Sequence, residues 1–325
     1  MALGKEGDTL SKQLSLRTLC IKGFIKMLSI LIPVFNYDVR KLVSDLHKQL
    51  SGMEIEYEIR VYDDCSTDEA FKNGNASIGD LPNVVFKRLE TNLGFCTIRN
   101  VLAEEAQFDL LLFLDSDVEV IDEHFIKKYL QVTDGKTVFC GGMQYVEEPP
   151  KDDQFLKWKH GKEREEASAV VRNKNPHRTL WAGNFLIPKK IYLGAKFDDG
   201  STGYGYNDTM FGYRLLVQGV PIVHVENPLL HRGLMPSEKF VMRSLEAVDN
   251  LLFFESRDYI EPSFYKFIKV FRYYKLLKRL GMERIYLKYY LKHVSGWKNN
   301  LLSSSPNLRN LDKLKLGRLV ELKSV

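Results

Sequence analysis

Two aspartates at i, i+2 close the most apolar run in the chain: Leu110-Leu111-Leu112-Phe113-Leu114 leads straight into Asp115-Ser116-Asp117. Two carboxylates at the end of a buried segment are costly unless something neutralises them. A hard divalent cation with oxygen ligands and phosphate does so, which points to Mg²⁺ or Mn²⁺. Three further clusters follow apolar runs in the same way. The first run ends in Ile32-Pro33-Val34-Phe35-Asn36, and the second in Asp63-Asp64-Cys65-Ser66-Thr67-Asp68. The third cluster, Asn92–Asn100, holds Gly94 at a turn and Arg99 in the early part of a helix. Aspartates placed like this either cap the next helix or accept a hydrogen bond from a nucleotide base N–H. Arg99 either makes a surface ion pair or serves the same site, since its helix should start at the sheet edge that carries the aspartates.

The elements that must position these groups alternate. Strands are expected at Ser29–Val34, Tyr57–Tyr62, Val84–Arg88 and Leu110–Leu114, with helices at roughly 38–51, 67–76 and 95–106. Strand–helix alternation implies an α/β fold with a mainly parallel sheet and helices on both faces. Ligands of such sheets sit at the carboxyl ends of the strands, where the chemistry-bearing clusters fall. FCGGMQY (139–145) and LWAGNFLIP (180–188) read as further strands, and Glu147–Arg178 as a long lid or binding loop. GSTGYGYNDT (200–209) leads into a helical run that Gly219 can end, PIVHVENP gives a short strand, and 237–292 reads as almost entirely helical.

Composition narrows the class. With 325 residues, 44% hydrophobic and 27% charged, the chain is neither disordered nor low-complexity. No apolar run approaches the roughly 18–20 residues of a membrane span. Residues 1–26 carry five Lys/Arg without an apolar stretch, so they read as a flexible lead-in rather than a secretory signal. Four cysteines without a pairing pattern fit a reducing, cytoplasmic setting. The charge is uneven: residues 256–325 hold 16 Lys/Arg against 5 Asp/Glu, so a whole-chain charge of +5 leaves −6 on the rest. The expected organisation is a lead-in at 1–26, a catalytic domain at 27–235 and a basic helical extension at 236–325.

In order and spacing, the four clusters resemble the family 2 inverting glycosyltransferases of GT-A fold, whose pattern is P-x-[FY]-N, D-D-x-S-x-D, N-x-G-x-x-x-x-R-N and D-x-D. The resemblance covers about 27–232. Cys65 stands where Gly or Asn is usual, and Phe95-Cys96 replace smaller or polar residues. Gly203-Tyr204-Gly205-Tyr206-Asn207-Asp208 with Phe211 and Arg214 is similar to the G-x-G-x-E-D segment of galactosyltransferase-like and chondroitin-synthase-like enzymes. What the resemblance implies is specific. Pro33 (through its backbone), Asp64, Arg99 and Asp115 would hold the nucleotide, Asp117 and His231 the metal, and Asp208 would be the catalytic base. Asn207 replaces the usual Glu near the acceptor. Gly203 and Gly205 would let the backbone approach the sugar, and Trp181 with the 147–178 loop would shape the acceptor side.

The mechanism expected from these parts is single-base inversion. In that expectation a metal offsets charge on the leaving diphosphate of a nucleotide-sugar, read as a UDP-sugar, while Asp208 deprotonates the acceptor hydroxyl. The acceptor would be a glycan or lipid-linked saccharide. Two rivals share some of these residues: a haloacid-dehalogenase-like phosphatase with Asp115 as nucleophile and Asp117 as acid/base, and a non-catalytic partner in polysaccharide assembly. Nucleic acid is not an expected partner, because no recognised module accompanies the basic tail. Phe264–Lys292, with nine Lys/Arg, one acidic residue and many aromatics, reads either as a helix packed on the catalytic domain or as one lying on an anionic membrane at the inner leaflet.

Overall fold

The computed structural model describes residues 27–150, 153–201 and 203–324; the lead-in at 1–26 lies outside the described residues. The first half follows the expected alternation: β1 (Met27–Val34), α1 (Arg40–Ser51), β2 (Glu56–Asp63), α2 (Glu69–Ala76), β3 (Val84–Arg88), α3 (Gly94–Glu105), β4 (Leu110–Leu114), β5 (Val118–Glu119), α4 (Phe125–Val132) and β6 (Val138–Cys140). Then come β7 (Met143–Gln144), α5 (Phe155–His160), α6 (Ala169–Arg172), β8 (Asn184–Pro188), α7 (Lys189–Ala195), α8 (Asn207–Val217), β9 (Ile222–His224) and β10 (Leu229–His231). The C-terminal part is helical: α9 (Ser237–Glu255), α10 (Phe264–Phe267), α11 (Lys269–Arg279), α12 (Glu283–Leu301) and α13 (Leu308–Lys323).

Seven strands form the main sheet in the order β3-β2-β1-β4-β8-β6-β9. β1 pairs parallel with both β2 and β4, β2 with β3, and β6 with β9, while β8 runs antiparallel to its two neighbours. The chain steps outward from β1 to β3 and then returns to the other side of β1 for β4. That reversal leaves a crevice at the carboxyl ends of β1 and β4, where ligands of open α/β sheets bind. β1 and β4 are buried on both faces, which is why each reads as a continuous apolar run. One face packs on Leu42, Val43, Leu46 and Leu50 of α1, the other on Ile98, Leu102 and Ala103 of α3.

Three expectations change. FCGGMQY is two strands in two sheets, because Gly142 turns at φ +82° and the chain leaves β6 for a small sheet of order β5-β10-β7. The 147–178 stretch is mostly structured: α5, a π-helical turn at Gly161–Glu165, α6 and a 3₁₀ turn at Pro176–Arg178. These pieces are too short to show a period, and two of their buried residues, Lys157 and Arg172, are charged. Phe264–Lys292 is likewise broken, at the extended residue Ile268 and again near Gly281 (φ +64°). Phe264, Phe267, Ile268 and Phe271 are buried against Met210, Tyr213, Val248 and Leu251. Helices α10 and α11 thus share a core with α8 and α9. Among the described residues no helix is long and apolar enough to cross a membrane.

Candidate active site

The crevice is a cleft of about 400 Å³ whose lining includes Pro33, Asp64, Gly94, Arg99, Asp115 and Asp117. All four strand-end clusters therefore meet in one place. Phe35 and Phe95, which sequence reasoning did not assign a role, stand at the same cleft as half-exposed rings. Their signal was an aromatic residue directly after an apolar strand and directly after the turn glycine.

Asp64 is buried, and its two carboxylate oxygens accept the backbone N–H groups of Leu93 (2.6 Å) and Gly94 (2.9 Å) at the start of α3. Burial raises its pKa against the pull of those two N–H groups. A carboxylate has about four acceptor positions, so two remain for a ligand donor. Its neighbours have structural partners. Asp63 accepts from Ser66 N–H, and Asp68 caps α2 through Ala70 N–H. Asn36 ties the ends of β1 and β2 together by accepting from the N–H groups of Thr67 and Asp68.

Arg99 is buried with its guanidinium under the Phe95 ring, 3.6 Å from the centroid, and one Nη donates to Asp115. Its Nε–H is buried without a partner. Asp115 has its pKa raised chiefly by burial, with Arg99 opposing and Asp117 adding to the rise. An arginine with spare donors beside a costly carboxylate is a receptor for an anionic or hydroxyl-rich ligand.

Asp208 reaches the same region through the turn that precedes β8. Its Oδ2 accepts Ala182 N–H at 3.1 Å, and the adjacent Gly183 carbonyl accepts Asp115 N–H at 3.2 Å. Burial, then the charge of Asp115, raises its pKa to about 6. A carboxylate poised there suits proton abstraction near neutral pH.

Asp117 and His231 face each other, Oδ2 to Nε2 at 3.6 Å. The imidazole lies between the rings of Tyr145 (5.2 Å) and Trp181 (5.8 Å), and its Nδ1 is buried without a partner. Gly233 packs so closely on the Asp117 carboxylate that an added Cβ would collide with Oδ2. Among the described residues no group of three His, Cys, Asp or Glu side chains forms a cage of its own. One carboxylate and one imidazole nonetheless fit an ion that completes its shell with phosphate oxygens and water.

The remaining expected pocket residues divide. Trp181 stays at the site, against His231. Gly203, Gly205 and Asn207 turn instead toward α9: the two glycines lie against Asn250 and Ala247. Asn207 is buried, its amide engaged by Ser201 Oγ and the Gly203 carbonyl. Their close approach is to a helix of this chain, because Asn250 and Ala247 occupy the space on that side. Gly183, which sequence reasoning passed over, fits between Trp181 and Asp115 with no room for a side chain.

Residues 29–193 match the protein family described as "Glycosyl transferase family 2". The chain is 28% identical over 177 residues to the poly(ribitol-phosphate) beta-N-acetylglucosaminyltransferase TarS of Staphylococcus aureus (strain Mu50 / ATCC 700699), covering 53% of this chain and 28% of that protein. It is 36% identical over 108 residues to an uncharacterized glycosyltransferase of Haemophilus influenzae, covering 33% and 34%. The chain thus spans about a third or less of the length of these relatives. Its fold superposes on S. aureus TarS 1-349 in complex with UDP with a TM-score of 0.50 at 18% identity, over 92% of this chain and 91% of that one.

Proposed function

The chain belongs to glycosyl transferase family 2, and from that premise we propose that it is an inverting transferase acting on a UDP-sugar. It would move a hexose or N-acetylhexosamine to a hydroxyl of a glycan or lipid-linked saccharide. The observation that carries this reading is the meeting of Asp64, Arg99, Asp115 and Asp117 in one cleft, with the raised-pKa carboxylate of Asp208 joined to it through Ala182 and Gly183. The name of the TarS relative makes UDP-N-acetylglucosamine the first donor to try.

In this reading the nucleotide lies across the carboxyl ends of β1 and β2. Asp64 accepts from the base, the Pro33 backbone and Asp115 hold the nucleoside, and Arg99 offers its free N–H groups to the donor. Asp117 and His231 would hold Mg²⁺ or Mn²⁺, which when bound offsets the charge that grows on the leaving diphosphate. Asp208 takes the acceptor proton as the hydroxyl attacks the anomeric carbon from the face opposite the diphosphate. This assignment also rests on the likeness of 203–214 to galactosyltransferase-like and chondroitin-synthase-like enzymes. A single displacement from that face gives inversion. The phosphatase alternative needs Asp115 free as a nucleophile, whereas Arg99 holds it.

We assign the catalytic domain to 27–235 and a basic, mostly helical extension to 236–325. With Phe264, Phe267, Ile268 and Phe271 buried, any membrane contact falls to the exposed Tyr273, Leu276, Leu280 and Ile285, flanked by Lys275, Lys278, Arg279 and Arg284. A basic, apolar face of this kind suits an anionic inner leaflet carrying a lipid-linked acceptor. The deciding experiment is a panel of nucleotide sugars assayed for nucleoside-diphosphate release with Mn²⁺, with Mg²⁺ and with chelator. Metal-dependent release from a UDP-sugar supports the proposal; no release from any member rejects it.

A further inference from the structure

The turn ahead of Asp208 has a backbone shape that its own sequence does not favour. Gly205 (φ +86°) and Tyr206 (φ +63°) are consecutive left-handed residues, and α8 begins immediately after them with Asp208 in its second position. Left-handed backbone is unfavourable for a residue with a Cβ, and it persists only where the surroundings over-determine it.

Helix α9 supplies those surroundings. Asn250 is buried, and its Nδ2 donates to the Gly205 carbonyl at 2.7 Å. Its Oδ1 lies 3.0 Å from Ser201 Oγ, which is also 3.1 Å from Asn207 Oδ1, so one hydroxyl proton serves both amide oxygens. Asn207 Nδ2 closes the ring on the Gly203 carbonyl at 3.3 Å. Packing agrees with bonding: a Cβ on Gly205 would come within 2.5 Å of the Ala247 methyl. The other end of the loop is tied to residues that follow α9, since Asp198 accepts from Arg257 Nε (2.9 Å) and Tyr259 OH (2.8 Å). Both ends of the 198–207 loop are therefore fastened to residues beyond 236.

We infer that Asn250 is a positioning residue for the transfer step: it fixes the Gly205–Tyr206 turn and thereby aims the Asp208 carboxylate at the acceptor hydroxyl. This rests on Asp208 being the base. Asn250 touches neither donor nor metal donors; its effect passes through the turn. A base displaced by about 1 Å loses on the order of 100-fold in rate, whereas the nucleotide cleft at β1, β2 and β4 is untouched.

The test uses Asn250→Ala and Ala247→Val, the second pushing on the same turn without removing a hydrogen bond, with Asp208→Asn alongside. Each is assayed at a temperature where thermal unfolding shows it fully folded. The expected result for both α9 variants is a kcat lowered by about 10–100-fold with donor KM and UDP affinity within about twofold of the parent. A packing role alone would lower the melting temperature and leave kcat per folded molecule unchanged, and that result from either variant overturns the inference. If Asn250→Ala does not fold, Ala247→Val decides alone by the same criterion. Asp208→Asn separates the two claims. A full rate in Asp208→Asn rejects the base itself; loss there with normal α9 variants rejects only the positioning role.

Discussion

Replacing Asp208 by Asn tests both energetics and chemistry at one atom. The carboxylate titrates near 6 in the folded chain against an ordinary 3.8, because burial and the charge of Asp115 disfavour its ionised form. The folded state therefore holds the proton more tightly than the unfolded chain. Ionised Asp208 costs stability at all pH values above about 6, and the cost disappears as pH falls from 6 toward 4. A shift of that size corresponds to about 3 kcal/mol at most. Asn keeps an oxygen for Ala182 N–H and carries no charge. Urea unfolding should show Asp208→Asn more stable than the parent by up to about 3 kcal/mol at pH 8, with the gap closing near pH 4. Transfer should fall roughly 10²–10⁴-fold, and the acid limb of kcat/KM near pH 6 should vanish. A stability gap that does not vary with pH, or an acid limb that survives the substitution, refutes the reasoning.

Asp117→Ala removes one of the two facing metal donors, so turnover should no longer respond to Mn²⁺ or Mg²⁺; full activity of that variant in chelator contradicts the metal assignment. Gly233→Ala drives a methyl into the Asp117 carboxylate and should cut kcat/KM at least about tenfold with circular dichroism unchanged, whereas a twofold effect would mean that the carboxylate moves aside freely. The 325-residue chain should sediment with anionic but not neutral vesicles at low salt, and Leu276→Glu with Leu280→Glu should abolish it without loss of fold, since both side chains are exposed. Absence of sedimentation at low salt leaves the helical extension a packing element only.

The first half of the fold was legible because its signals are local. β3 and β4 fall where the apolar runs place them, and α1 and α3 start within about two residues of the periodic stretches. The cleft was legible for the same reason: each cluster directly follows a strand, and a parallel sheet brings strand ends together. Contacts across long separations were not. Gly233 against Asp117 and Gly183 against Asp115 are close approaches that a lone glycine does not announce. The roles of Gly203, Gly205 and Asn207 depend on α9, more than 40 residues later, and its Asn250 carries no motif. The aromatic run in the helical extension reads alike for a core and a membrane face, and only packing on Met210 and Tyr213 divides Phe271 from Leu276.

The most direct test of single-base transfer at Asp208 is the anomeric configuration of the product. With an α-configured UDP-sugar that the enzyme accepts, proton NMR of the new glycosidic bond should show the large H1–H2 coupling of a β-linkage for a gluco-configured residue. A product with retained α-configuration would contradict the account, because attack from the face opposite the leaving diphosphate cannot produce it.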